Sequence, residues 1–459
     1  MKHRIVVLGA GYAGAYVAGT LARRLTPEGA EVVVVNAEPD FVQRLRLHQL
    51  AAGQEIEAPR LADVFAGTGI RLRLARVTAL DPERRIVAVA DTDGGADEIG
   101  YDTLVYALGS RSDDRGVPGV AEHAFDVAGR PSALRLREHL DGLDLRSGGG
   151  KVVIVGDGPT GIETATEIAE SRPGSAVTLI ARGELGASLS AGARDHLRRA
   201  CDRLGVTVLE QAGVEAVEAG RVLCAGGTVL ASDATVWAAG FAVAPIAAAA
   251  GLEVADDGRI LVDRTMRSVS HPNVYAVGDS ARAMGDNCLP LPMSCASAGC
   301  TGRQAAASIV ACLTGREVEH TGLEYIGNHI SLGRRDGILQ IVDHEARAKP
   351  KYLGGRKAAR IKAAVLRMSL WITSRPTFGL PTRKHHLTGT PKPDGKTAVT
   401  PRSAEKTPAA ENSSRSTRTG TGPATASPPS TASACPSRRP SRRRSGQPLC
   451  PHPESDDCS

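Results

Sequence analysis

An α/β fold with two parallel-sheet domains is what this sequence predicts, and three observations predict it. Short β-branched runs alternate with helix-like runs through the first 315 residues, the pattern of parallel sheets covered by helices. Residues 4–23 (RIVVLGAGYAGAYVAGTLAR) and 151–170 (KVVIVGDGPTGIETATEIAE) repeat one unit: an apolar strand, three glycines at one spacing, then a helix. At 459 residues and 42% apolar content there is room for two or three domains. With only 3% aromatics, their cores must be built from Ala, Val, Leu and Ile.

The opening MKHRIVVLGAG imitates a signal peptide, but the glycine pattern and the following EVVVVN mark it as a first strand. RLRLARVTAL and RIVAVAD read as a hairpin inserted after that βαβ unit, and DTLVYALGS as the next parallel strand. SALRLREHLDGL predicts an amphipathic helix, and DLRSGGG (Asp144–Gly150) a flexible joint between lobes. KVVIVGD, AVTLIAR and ATVWAAG are the strands of the second unit, with the helix GARDHLRRACDRLG among them. The apolar run 236–252 is broken by Gly240, Pro245 and Gly251, so it predicts a buried strand and a short helix rather than a membrane span. NVYAVGD returns to the first domain. NHISLGRRDGILQIV predicts antiparallel strands. GRKAARIKAAVLRMSLWITSRP predicts a basic amphipathic helix with Ile361, Val365, Met368 and Ile372 on one face. Lys357, Arg360, Lys362 and Arg367 surround that stripe, which ends at Trp371.

The resulting map has residues 1–115 and 250–325 as one discontinuous domain, 116–249 as a second inserted in it, 326–380 as a small α+β region, and 381–459 as a disordered basic tail. The tail holds 13 basic and 6 acidic residues and no Phe, Tyr, Trp, Ile or Met. The first 380 residues are balanced at 43 against 44, so the basic character says little about what the folded part binds. Nucleic acid is not an expected partner, although an arginine-rich arm is one way the tail could act. The nine cysteines show neither CxxC nor zinc-finger spacing. Reduced thiols in a cytoplasmic protein, and no metal site, are the expectation.

In a strand–GxGxxG–helix unit the first glycine permits the tight turn, the second lets backbone approach a pyrophosphate, and the third lets helix and strand pack closely. The helix N-terminus then offers free N–H groups to the phosphates. Two such units suit two dinucleotides, one carrying hydride in and one, a bound flavin, receiving it. The first unit (Gly9, Ala10, Gly11, Tyr12, Ala13, Gly14) is assigned to FAD. The second (Gly156, Gly158, Pro159, Thr160, Gly161) is assigned to NAD(H) or NADP(H).

From about residue 3 to 375 the chain resembles the two-dinucleotide pyridine nucleotide oxidoreductases, most of all type II NADH dehydrogenases and their actinobacterial relatives. The resemblance implies that Asp279 in VYAVGD, with Gly278, reaches the ribityl chain of FAD. It implies that Ala107 and Gly109 of YALGS lie near the FAD phosphates, and that Ala239 and Gly240 of ATVWAAG line the nicotinamide nucleotide. It places a helix starting near Ser294, and carrying Ala298, with its N-terminus at the flavin ring. It makes Glu163 a catalytic residue near the flavin–nicotinamide contact, the alternative being a first-turn acid favoured by the helix dipole. It also implies docking of the basic helix on an anionic bilayer, against packing on the protein body or in a homodimer.

Three departures qualify these expectations. The acid usually found after the second strand of each unit is missing. Asn36, with Glu38 nearby, stands there in the first unit, and Ala181 and Arg182 in the second. An arginine favours the 2′-phosphate of NADPH, unless it is a solvated surface residue and Glu184 holds the ribose. The Ala-Gln-x-x-x-Gln motif of quinone reducers is replaced by Cys295, Ala296 and Cys300, so a quinone acceptor rests on the resemblance alone. No cysteine precedes Cys201, which excludes the disulfide-reductase chemistries of the superfamily. The reading is thus an FAD-dependent NAD(P)H oxidoreductase, cytoplasmic or peripheral on the cytoplasmic membrane face, with a quinone or small-molecule acceptor. Its alternatives are a flavin-binding redox sensor or scaffold, and a sulfide:quinone-type enzyme using Cys288, Cys295 and Cys300.

Overall fold

The β-branched runs pair into two five-stranded parallel sheets, each with its glycine-bearing strand at the centre. The computed structural model describes residues 1–379, apart from 92 and 148, together with residues 383–388. The first sheet runs Val274–Ala276, Thr103–Tyr106, His3–Leu8, Ala30–Asn36, Ile70–Leu74. The second runs Thr207–Leu209, Ala176–Ile180, Lys151–Val155, Ala234–Trp237, Ala124–Phe125. Ile5, Val6, Val7 and Leu8 are all fully buried. A sheet covered on both faces calls for such unbroken apolar runs rather than alternation. In each sheet the strand order reverses beside the central strand, which opens a crevice at its carboxyl end, directly at the fingerprint turn.

Two local expectations are corrected. RLRLARVTAL is not one arm of a hairpin. Ile70–Leu74 is the fifth strand of the first sheet, whereas Arg76–Asp81 joins Ile86–Ala90 and Ala96–Gly100 in an antiparallel sheet. DLRSGGG is not a free joint, because the helix Arg130–Ser147 continues through Asp144, whose carboxylate pairs with buried Arg172. The two sheets are instead joined through an antiparallel ribbon of Ser110–Ser112 with Phe241–Val243. The indole of Trp237 fixes this ribbon by donating to Asp113 O at 2.6 Å.

Gly327–Ser331, Gly337–Val342 and Ala348–Gly354 form a third, antiparallel sheet. It packs Ile330, Leu332 and Ile338 on Ile162 and Ile168 of the helix Pro159–Ser171. The closing helix Gly355–Thr373 buries Ala358, Lys362 and Thr373 and leaves Ile361, Val365, Met368, Trp371 and Ile372 between 38% and 56% exposed. Lys362 therefore belongs to the inward face and not to a docking surface. No described helix is long and apolar enough to cross a membrane.

Of the tail expected to be disordered, residues 383–388 are docked on the body. Thr26 N donates to His385 O at 3.0 Å and His385 N to Arg24 O at 2.8 Å, while Leu387 packs on the first core beside Gly29. The rest of that expectation, residues 381–382 and 389–459, lies outside the described residues.

Candidate functional site

The two fingerprint turns are built alike to the level of single atoms. Gly9 (φ +97°) and Gly156 (φ +118°) are left-handed, and a Cβ on either would run into the carbonyl of Ala107 or Ala238. A Cβ on Gly14 or Gly161 would run into Gly9 O or Gly156 O. At the middle glycines, Gly11 and Gly158, a Cβ would meet nothing within 4 Å. Open space at the middle position and tight contact at the outer two is what a phosphate-cradling turn requires. Gly11 and Gly158 are also the N-caps of helices Tyr12–Arg24 and Pro159–Ser171. Neither helix has a side-chain cap or an acid in its first turn, so their first N–H groups and positive ends remain available to an anion. The residues fit two dinucleotides.

Around the first turn the expected flavin residues converge. Ala107 closes over Gly9, and Gly278 (φ +66°) packs against Ala13 and Ala298. Gly109 N donates to Ser280 Oγ at 2.9 Å, and Ser110 Oγ to Asp279 Oδ2 at 2.6 Å. Asn36 Oδ1 accepts from Ala10 N at 2.8 Å and its Nδ2 donates to Glu38 O at 2.7 Å. It braces the turn itself. The helix Cys295–Thr314 is capped by Ser294, whose hydroxyl accepts from Ser297 N at 3.1 Å. Arg44, which no motif singled out, donates to Ser110 O at 2.8 Å and stands 3.7 Å from Asp279.

At the second turn Gly156 packs against Ala238 and Ala239, and Gly240 lies against the Arg115 side chain. Gly156 N donates to Ile180 O at 3.0 Å, which brings the segment after that strand beside the turn. Arg182 is there, exposed to solvent. Pro159 and Thr160 open the helix and are accessible.

Glu163 sits in the second turn of its helix, so the dipole-favoured first-turn reading does not apply. It is 8% exposed and lies in a buried charge cluster. Its Oε1 pairs with Lys362 Nζ and accepts from Ser331 N at 2.8 Å. Its Oε2 stands 3.8 Å from His48 Nδ1. Burial pushes the carboxyl up, but the Lys362 ammonium and the Ser331 N–H hold it below the usual carboxylate range. Burial lowers His48, so its ring is neutral at physiological pH, and its Nε2 finds no partner among the described residues. Lys362 also donates to His329 O at 2.9 Å. No motif singles out His48, and Lys362, expected on the basic rim of the closing helix, instead points inward with Ala358 and Thr373.

Cys295 and Cys300 are free thiols that do not pair with each other, whereas Cys288 is disulfide-bonded. Cys295 and Cys300 are five residues apart on one helix, about 140° around its axis. Burial raises the Cys295 thiol to about 12, and Cys300 Sγ donates to Ser297 O at 3.3 Å. Cys295, first residue of the flavin-side helix, feels the charges of Asp279 and Arg44 and also those of Lys362 and Glu163.

Two parallel sheets, each with an anion-ready glycine turn, define the class: an α/β oxidoreductase fold for two dinucleotides. Within that class, the pyridine nucleotide-disulphide oxidoreductase family matches residues 3–344, and the chain belongs to it. It is 35% identical over 333 residues to an NADH dehydrogenase-like protein of Mycobacterium tuberculosis, covering 67% of this chain and 80% of that one. It is 26% identical over 394 residues to a type II NADH:quinone oxidoreductase of Staphylococcus aureus, covering 79% and 94%. Its fold is similar to that of Plasmodium falciparum NDH2 solved in complex with NADH, with a TM-score of 0.71 at 15% identity, covering 82% and 96%. The chain is an NAD(P)H oxidoreductase, with FAD and NAD(P)H as its cofactors.

Proposed function

We propose that this chain oxidises NADH or NADPH with FAD held at the Gly9–Gly14 turn, and delivers the electrons to a quinone at an anionic membrane surface. The observation that carries the reading is the duplicated cradle, one body presenting two turns whose middle glycines alone are open. Bound FAD supplies the two-electron relay between nicotinamide and acceptor. The chain's own groups hold and orient. The helix ends at Gly11 and Gly158 receive phosphates. Asp279, fixed by Ser110, receives ribityl hydroxyls. The start of the helix at Cys295 provides positive potential. Glu163, kept ionised by its pair with Lys362, is the proton-handling group.

The Staphylococcus relative, named for quinone reduction, supports the acceptor. The exposed apolar face of helix Gly355–Thr373, flanked by exposed Lys357, Arg360 and Arg367, supports the membrane surface. Purified full-length protein should be yellow, should bleach anaerobically within seconds of adding NADH or NADPH, and should regain colour with a water-soluble quinone. A colourless protein that takes up no added FAD overturns the proposal. Bleaching without reoxidation by quinone overturns the acceptor alone.

A further inference from the structure

We propose that the preferred electron donor of this chain is NADPH, its 2′-phosphate received by the guanidinium of Arg182. This rests on the reading of the second fingerprint as the nicotinamide nucleotide site. Strand Ala176–Ile180 pairs in parallel with Lys151–Val155, Ile180 opposite Val155, so the two residues after Ile180 flank the turn at Gly156. In folds of this kind the adenosine ribose is gripped from that position.

What stands there has no carboxylate to give. Ala181 is fully buried and apolar. Its N–H donates to Leu209 O at 2.8 Å, its carbonyl accepts from Ala212 N at 3.1 Å, and Gly183 O accepts from Gln211 N at 3.2 Å. Arg182 is thus held on both sides by pinned backbone while its side chain is exposed. Among the described residues its guanidinium makes no hydrogen bond or ion pair.

The acids that could take the ribose hydroxyls instead are already engaged. Glu184 pairs with Arg194 and stands 3.5 Å from Arg198. Glu210 accepts from Arg198 at 2.8 Å and from Leu185 N at 2.6 Å. Glu184 and Glu210 are thus paired with Arg194 and Arg198, and Arg182 is left without a carboxylate partner among the described residues. Among the described residues, NADH would find no unpaired carboxylate here for its 2′- and 3′-hydroxyls. A 2′-phosphate, carrying close to two negative charges at neutral pH, would find a planar bidentate donor in a locally positive field.

The test uses the FAD-loaded full chain and Arg182→Gln, a surface change that leaves both sheets intact. Anaerobic reduction by each nucleotide gives kcat/KM. Calorimetric titration with adenosine 2′,5′-bisphosphate and with AMP gives binding independent of turnover. The wild-type protein should favour NADPH and bind the bisphosphate more tightly than AMP. Arg182→Gln should lower kcat/KM for NADPH by roughly tenfold to a hundredfold, the range for a charge-assisted contact. NADH should change far less. A wild-type preference for NADH, or equal losses for both nucleotides, overturns the assignment. If neither nucleotide reduces the protein yet the bisphosphate still binds in an Arg182-dependent way, the oxidoreductase reading fails and the phosphate site stands.

Discussion

Replacing Lys362 by methionine removes the ammonium that neutralises Glu163, in a place where the two side chains are 8% and 10% exposed. The carboxylate keeps only Ser331 N–H at 2.8 Å, with the neutral, desolvated ring of His48 3.8 Å away. Leaving a buried charge without its partner costs about 3–5 kcal/mol. For a body the size of residues 1–389, unfolding entropy of about 2.1 cal/mol/K per residue comes to about 0.8 kcal/mol/K, so Tm should fall by about 5 °C. Lys362→Met with Glu163→Gln removes both charges and should recover most of that loss, giving a coupling of about 2–4 kcal/mol. The pH dependence has a definite sign. Without Lys362, burial raises the folded-state pKa of Glu163 above its unfolded value. The variant is then penalised at high pH and approaches the wild type as pH falls and the carboxyl protonates. Thermal melts of the FAD-loaded proteins across pH measure all of this. A Tm loss below about 1 °C, or a double variant no better than the single one, would refute the claim that the pair is an isolated buried charge couple.

The two kinds of fingerprint glycine should separate cleanly. Gly161→Ala, whose Cβ would overlap Gly156 O, should destabilise by about 3 kcal/mol or more. Gly158→Ala should melt like the wild type, yet raise the nicotinamide nucleotide Kd at least about tenfold, because the methyl enters the open space of the cradle. His48→Leu should be near neutral at pH 8, since the Nε2 it removes has no partner. Because the folded-state pKa of His48 lies below its ordinary 6.5, the unfolded chain binds its proton first. Wild-type stability therefore falls below pH 6.5 by up to about 1.4 kcal/mol per pH unit, and His48→Leu escapes that part. Pairing Val365→Asp with Met368→Asp on the exposed helix face should leave reduction of a water-soluble acceptor intact and abolish co-sedimentation with anionic vesicles. Undiminished vesicle binding would remove that face as the docking surface.

The parts of this molecule that could be read from sequence are those whose physics is local. A left-handed turn and a close helix–strand crossing each demand glycine within a few residues, so Gly9, Gly14, Gly156 and Gly161 announce themselves. Strands buried on both faces likewise demand unbroken runs of Val and Ile. Where a demand is met from a distance, the sequence is silent. Nothing within reach of Glu163 in the chain indicates a partner 199 residues away, and Lys362 sits among so many basic residues that its inward direction is hidden. The alternation of RLRLARVTAL runs straight through Ala75, although the strand before it and the strand after it belong to different sheets. The docked segment 383–388 carries one clue, a single leucine in a polar stretch, and one hydrophobe is too little for a pattern. Asn36 shows the same division within one residue. Its place at the end of the second strand identified it as part of the first cradle, but not that its amide would bridge Ala10 and Glu38. The missing acid thus has different consequences in the two units. In the first, an internal amide has taken over the bracing of the turn. In the second nothing replaces the acid but an unpaired cation, and that leaves Arg182 to decide which nucleotide the site takes.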